Sequence, residues 1–385
     1  MVKVKKEFML VKPEDINPSS QYLEVIGTLN PGVATLPDGD IILYVRVTEK
    51  LIKTKDKDYF YSPRLVGEDK YKLKIDKFNK DLVEQSSGLD FIFKDGTKRL
   101  TFISHLRRII LDKTSLKIKH IDKKPGFFGV AWDGELGVED PRITKINNLY
   151  VMTYVSLSRT SNISTSYAIS NDCKTWYRRG IIFSEQNKDV VIFPEMIDGE
   201  YVAIDRPEGT FEFTKPHMWV TYSKDMELWG RQHPLVISKK GEWDFGRVGA
   251  SCPPIKTEKG WLLIYHGVLE GKKKRIRQAI VKRMQISDIF DESDTLYCIG
   301  AALLDLKNPN RVLAKTKIPI LFPLKKYEVD TFEGKGVIFP TGAVLDRKNL
   351  ILFCGAGDKF TVVKEIEIER IMKKLKKVEY SSGVV

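Results

Sequence analysis

This sequence predicts an all-β chain folded as a five-bladed β-propeller with a short C-terminal helix, and three observations carry that expectation. Short β-branched and aromatic runs recur along its 385 residues, most of them bounded by Gly, Asn, Asp or Pro, which is the punctuation of strands and turns. Two heptads, Ser170-Asn171-Asp172-Cys173-Lys174-Thr175-Trp176 and Ser223-Lys224-Asp225-Met226-Glu227-Leu228-Trp229, share the spacing Ser-x-Asp-x-x-x-Trp, with their aspartates 53 positions apart. A period near fifty with four short strands per unit marks a propeller blade. The length accommodates about five such blades plus extensions and inserts.

In chain order, the strand-like runs are Ile41–Val47, Leu149–Val155, Tyr201–Ile204, Met218–Tyr222, Trp261–Tyr265 and Leu350–Phe353. Helical periodicity is nearly absent until Lys364–Lys377. There Ile368, Ile371, Met372 and Leu375 fall on one face and predict a helix over about 364–378. Between Leu51 and Lys124 lysines accumulate and strand signals weaken, so an insertion is expected there. In the paired heptads, Asp172 and Asp225 are expected to cap backbone amides and Trp176 and Trp229 to pack between sheets. The whole of 1–385 is expected to form one propeller domain.

Composition narrows the function classes. The chain is 42% hydrophobic and 30% charged, enough to bury a large core. Met1–Glu7 is followed by no apolar run, and no stretch approaches the roughly 18 apolar residues of a membrane span. Cys173, Cys252, Cys298 and Cys354 lie far apart, outside any metal-ligand spacing, and are expected to be small buried residues of a reduced compartment. A cytoplasmic location is expected. The net charge of +13 is spread singly or in short runs such as Lys272-Lys273-Lys274-Arg275, without a nucleic-acid-binding signature. No Gly-x-Ser-x-Gly, Walker or dinucleotide loop is present.

The chemistry-bearing residues gather at strand openings and ends. Gly137-Val138-Glu139-Asp140-Pro141-Arg142 sets two acids, a proline and an arginine at the mouth of an apolar strand. Pro141 is expected to hold Asp140 in an extended backbone, as suits a positioned proton donor; a turn with a surface salt bridge is the alternative. Lys188, Arg206 and Arg247 are cations set beside Pro, Gly or apolar residues. Each alone reads as a structural ion pair, and the three together suggest a phosphate or carboxylate pocket. His266 is a further candidate donor, or a satisfied core histidine. Asn30, Arg46 and Asp358 also sit at strand ends and join Glu139 as candidate substrate contacts.

The ordered series Asn30-Pro31-Gly32, Arg46, Gly137–Arg142, Asn187-Lys188-Asp189, Phe193-Pro194-Glu195, Arg206-Pro207, Gly246-Arg247-Val248-Gly249, Trp261–Gly267, Phe339-Pro340-Thr341-Gly342 and Asp358 resembles glycoside hydrolase family 130. That family comprises five-bladed β-propeller β-mannoside phosphorylases and related β-mannosidases. The resemblance implies that Asp140 is the general acid, acting through the 3-hydroxyl of the mannosyl unit. It implies that Lys188, Arg206 and Arg247, with His266, bind inorganic phosphate. Phosphate then attacks with inversion, giving α-mannose 1-phosphate and a shortened β-1,4- or β-1,2-mannoside. A hydrolase would need a second carboxylate to activate water, and Glu195 is the acid close by in sequence. The competing readings are such a β-mannosidase and a non-catalytic carbohydrate-binding propeller. Asp205 stands where many relatives carry His. No cofactor is expected beyond phosphate as co-substrate. The expected partners are an oligosaccharide and phosphate, with no nucleic acid and no membrane; self-association into a homo-oligomer is left open.

Overall fold

The computed structural model describes residues 1–209, 213–235, 238–239, 241–269, 295–329 and 335–378. The basic run Lys272–Arg275 lies outside them. Antiparallel four-stranded blades follow one another around an axis, the last two joined by the parallel pairing of Thr295–Tyr297 with Lys335–Val337. Blade 1 comprises Leu23–Thr35, Ile41–Leu51, Phe102–Leu111 and Ile118–Ile121, and blade 2 comprises Gly137–Ile146, Leu149–Ser158, Asn162–Ser170 and Tyr177–Phe183. Blade 3 comprises Asn187–Ile192, Tyr201–Pro207, Trp219–Ser223 and Gly230–Pro234. Blade 4 runs from Val248–Ala250 through Gly260–Leu269 and Thr295–Leu304 to Val312–Thr316. Blade 5 is Lys335–Asp346, Asn349–Ala356 and Phe360–Glu367, completed by the N-terminal strand Lys6–Val11. This is the five-bladed propeller expected from the sequence.

Burial follows from that arrangement. Each sheet is apolar on both faces because each packs on a blade to either side, so an apolar cluster fills every inter-blade gap. Ile42, Tyr44, Met152 and Tyr154 join blades 1 and 2, and Val151, Tyr167, Val190 and Ala203 join blades 2 and 3. Phe193, Ile204, Trp261 and Tyr265 join blades 3 and 4. Ile264, Ile299, Ile338 and Leu352 join blades 4 and 5, and Val45, Ile109, Phe353 and Val363 close the ring. All four cysteines are buried and free.

The paired heptads behave as expected. Asp172 Oδ1 accepts the amides of Lys174 and Thr175 at 2.7 Å each. Asp225 Oδ1 accepts those of Glu227 and Leu228 at 2.9 and 2.8 Å. Trp176 meets Tyr44 edge-on at 5.7 Å, and Trp229 meets Phe183 at 5.8 Å, each across a gap between blades.

Two expectations need correction. Of the C-terminal segment, only Ile368–Met372 is helical; Lys364–Glu367 belongs to a blade strand and Leu375–Lys377 to a short edge strand. Strand pairing with the N-terminus (Lys6↔Glu365, Glu7↔Lys364) claims the front of the periodic stretch. The insertion is also shorter than Leu51–Lys124. Leu51, Phe102–Leu111 and Ile118–Ile121 are blade 1, and between them lie a hairpin, Tyr59–Leu65 with Leu73–Asn79, and the three-stranded sheet Val83–Ser86, Asp90–Phe93, Lys98–Leu100. The hairpin docks on the chain entering blade 2, where the amide of Leu65 donates to the carbonyl of Glu135 at 2.7 Å.

Candidate active site

The innermost strands of the first three blades interrupt their ladders at matching places, between Leu29 and Gly32, Glu139 and Arg142, and Lys188 and Val191. The residues in those bulges, Asn30, Asp140 and Asp189, have φ of 46°, 48° and 60°. A bulge re-aims a side chain out of the alternating pattern, and Asn and Asp tolerate this left-handed backbone better than most residues. Asp140 is therefore not extended, as Pro141 alone would dictate. The sheet overrides the local preference and still fixes one geometry.

On one side of the axis stands an acid pair. Arg46, from the second strand of blade 1, donates to Glu139 Oε1 at 2.6 Å and to Asp140 Oδ1 at 3.0 Å. Asn30 Nδ2 donates to the same Asp140 oxygen at 2.8 Å, and Ser104 Oγ donates to Glu139 at 3.0 Å. Burial pushes the Glu139 carboxyl up, against the pull of Arg46. Burial would lower Arg46, but Glu139 and Asp140 outweigh it and hold the guanidinium above its ordinary value, with Asp358 adding to the effect. Asp358, in the turn after Asn349–Ala356, thus acts on this side of the pocket by its charge. Gly355 is needed here, since a Cβ would stand 1.9 Å from Asn30 Oδ1.

On the other side stand the cations, organised by a carboxylate. Asp189 is buried, and it accepts from Arg142 Nη2 at 2.9 Å and from Arg206 Nε at 2.8 Å. Burial would raise Asp189, but Arg206 and Arg142 outweigh it and hold the carboxyl well below the usual range. Arg142 also donates through Nη1 to the carbonyl of Asp140 at 2.9 Å. One continuous chain of contacts, Asp140–Arg142–Asp189–Arg206, therefore spans the axis from acid to cation. Lys188 is lowered by burial and then by Arg206, and it feels the charge of Asp140. Arg247 is 36% exposed at its side chain, against 3% for Arg206. Glu208 accepts from Arg206 Nη1 and lies 3.4 Å from Arg247 Nε.

His266 is 1% exposed, with Nε2 3.5 Å from Asp189 and its ring against Phe339 at 4.5 Å. Burial pushes it down to about 3, so it is neutral near pH 7 and sits behind the cations without adding charge. Gly249 makes room for this hub, since a Cβ there would lie 2.4 Å from Asp189 Oδ2. Glu195 is not at the axis side of this cluster; its carboxylate pairs with Lys256 at 2.5 Å, and both side chains are about half exposed. Asp205 is buried behind Arg206, where it accepts from Asn187 Nδ2 at 2.7 Å and burial pushes it up to about 6.

Of the residues expected at the site, Asn30, Arg46, Glu139 and Asp140 are in direct contact on one side and Arg206, Arg247 and His266 adjoin Asp189 or Glu208 on the other, while Lys188 and Asp358 are tied to them by charge. Sequence reasoning missed Ser104, Arg142, Asp189 and Glu208. Arg142 and Asp189 lay inside the quoted motifs, Ser104 fell in the stretch taken for an insertion, and Glu208 carried no motif signal.

A family model described as glycoside hydrolase family 130, β-1,4-mannooligosaccharide phosphorylase, matches residues 105–377. The chain is 32% identical to the β-1,2-mannobiose phosphorylase of Listeria innocua, over 96% of this chain and 97% of that one. It is 34% identical to a β-1,2-mannobiose phosphorylase of Thermoanaerobacter, over 64% of this chain and 72% of that one. Among solved structures, the Listeria innocua enzyme in complex with β-1,2-mannobiose superposes with a TM-score of 0.79 at 31% identity, covering 95% of this chain and 96% of that one. The order of motifs, the propeller and these likenesses agree: the chain belongs to glycoside hydrolase family 130, the β-mannoside phosphorylases and related glycoside hydrolases.

Proposed function

We propose that this protein is an inverting phosphorylase of β-1,2-linked mannosides, mannobiose foremost, releasing α-mannose 1-phosphate and the shortened acceptor sugar. The observation that carries the reading is the contact chain Asp140–Arg142–Asp189–Arg206, which sets one restrained acid across the axis from a cluster of cations. A phosphorylase needs that pairing, because phosphate is already a nucleophile and requires only charge and placement. Asp140 gives its proton toward the glycosidic oxygen, by way of the mannosyl 3-hydroxyl as in the family. The C1–O bond breaks as a phosphate oxygen bonds C1 from the opposite face. Lys188, Arg206 and Arg247 hold the phosphate, while Arg46, Glu139, Asn30 and Asp358 frame the sugar. The β-1,2 linkage is favoured over β-1,4 by the relative that matches nearly end to end.

A hydrolase remains the second reading, with one specific acid to carry it. Glu208, like Asp189, is a described carboxylate among the cations, and it is already held by Arg206 and lies beside Arg247. The test is incubation with β-1,2- and β-1,4-mannobiose, with and without phosphate, followed by product identification. α-Mannose 1-phosphate formed only with phosphate, and faster from the β-1,2 disaccharide, is the expected result. Free mannose released at a rate indifferent to phosphate would overturn the reading.

A further inference from the structure

We infer that Glu208 is the internal counter-anion of the phosphate cleft and sets the enzyme's affinity for phosphate by yielding Arg206 and Arg247 to the incoming anion. This rests on the phosphorylase reading above. The geometry of Arg206 is the starting point. Its Nε is committed to Asp189 at 2.8 Å, so the guanidinium can meet a ligand only through its terminal nitrogens. One of those, Nη1, is held by Glu208. The same Glu208 oxygen lies 3.4 Å from Arg247 Nε. A single carboxylate therefore holds one donor of Arg206 and pairs by charge with Arg247, two cations that phosphate would use.

Placing an anion there solves an electrostatic problem. Arg206 is nearly fully buried, Lys188 is half-buried, and both are pushed below their ordinary values by burial and by neighbouring positive charge. An empty cleft holding these cations together would be costly, and Glu208 offsets the repulsion until substrate arrives. The carboxylate is also built to leave. Its backbone is fixed, since the Glu208 amide donates to the Gln186 carbonyl at 2.8 Å. Its side chain lies beyond the end of the strand Tyr201–Pro207, so rotation about side-chain bonds is enough to release both arginines. Phosphate brings more charge and more acceptor oxygens than a carboxylate and displaces it. When the sugar phosphate forms, return of Glu208 to the arginines helps expel it.

The test is Glu208→Gln, which keeps shape and removes charge, with Glu208→Ala run beside it so that a folding failure of one leaves the other. For both, the KM for phosphate in phosphorolysis and for α-mannose 1-phosphate in synthesis should fall about tenfold. That is the worth of roughly one charge-assisted hydrogen bond that no longer has to be broken. The KM for mannobiose should hold. Titrating phosphate against thermal unfolding gives an independent readout, since a ligand of the native state at free concentration L stabilises it by RT ln(1 + L/Kd). The phosphate concentration that gives a set stabilisation should fall by the same factor. If phosphate stabilises the wild type but the variants bind it equally or more weakly, Glu208 merely positions the arginines and the inference is overturned. If phosphate neither stabilises the wild type nor supports turnover, the phosphorylase reading itself has failed, and this one with it.

Discussion

Where blades 1 and 2 face the axis, one guanidinium serves two acids: Arg46 reaches both Glu139 and Asp140, and Asn30 and Ser104 complete their bonds. Where blades 3 and 4 face it, the proportion reverses. Lys188, Arg206 and Arg247, with Arg142 reaching across from blade 2, gather around two carboxylates, Asp189 and Glu208. The first side is compensated in that Arg46 gives each of its two carboxylates a cationic partner. The second retains an excess of positive charge that invites a dianion. In the proposed reaction this difference divides the work of one propeller: proton transfer falls to the compensated side and nucleophile capture to the uncompensated side, with Arg142 tying the two together.

The largest effect should come from breaking the compensated side at its centre. Asp140→Asn keeps the shape and can still accept from Asn30, but it removes the proton donor. Phosphorolysis should fall roughly 10²–10⁴-fold, the usual worth of a positioned general acid. Phosphate binding, read by its stabilisation of the fold, should hardly change. A variant that keeps wild-type turnover would show that the acid lies elsewhere.

Next in size is the uncompensated side. Arg247→Ala removes a partly exposed cation and should raise the KM for phosphate about tenfold. Arg206→Ala should raise it by up to about a hundredfold, because it also strips Asp189 of a buried partner. The KM for mannobiose should move far less in both, and initial rates over a matrix of the two substrates give the split. Equal losses for both substrates would mean that the two sides are not separate.

How much of this division was legible in the sequence follows from what each residue depends on. The blades were legible because strand punctuation is local and the Ser-x-Asp-x-x-x-Trp turn repeats; Asp172 and Asp225 make the same amide contacts. The acid and the cations were legible as residue types in an ordered series. The connections between them were not. Arg142 and Asp189 meet across two blades, 47 positions apart, and no periodicity reports such a contact. The left-handed backbone at Asn30, Asp140 and Asp189 is imposed by the bulges of the inner strands, against what Pro141 suggests for Asp140. The C-terminal helix failed for a related reason. The periodicity of Ile368, Ile371 and Met372 is genuine, but Lys364 and Glu365 pair with Glu7 and Lys6 to close the ring, and that pairing spans nearly the whole chain.

The smallest predicted effect concerns a group buried behind the cations. Asp205 accepts a hydrogen bond from Asn187 through one oxygen; among the described residues no cation pairs with it, and its other oxygen has no partner. Burial pushes its carboxyl up to about 6 from an ordinary value of 3.8, and the bond from Asn187 only partly opposes this. Between about pH 4 and 6 the native state holds a proton that the unfolded chain has lost, so stability falls as pH rises through that window. Above it both states are ionised and the cost stays constant. Asp205→Asn preserves an acceptor for Asn187 and abolishes the cost. The variant should therefore match the wild type near pH 4 and exceed it near pH 7.5, by on the order of 1–3 kcal/mol in denaturant unfolding. Equal destabilisation of the variant at both pH values would show that Asp205 is held for its shape and bonding, and that the uncompensated side carries no buried anion at a cost.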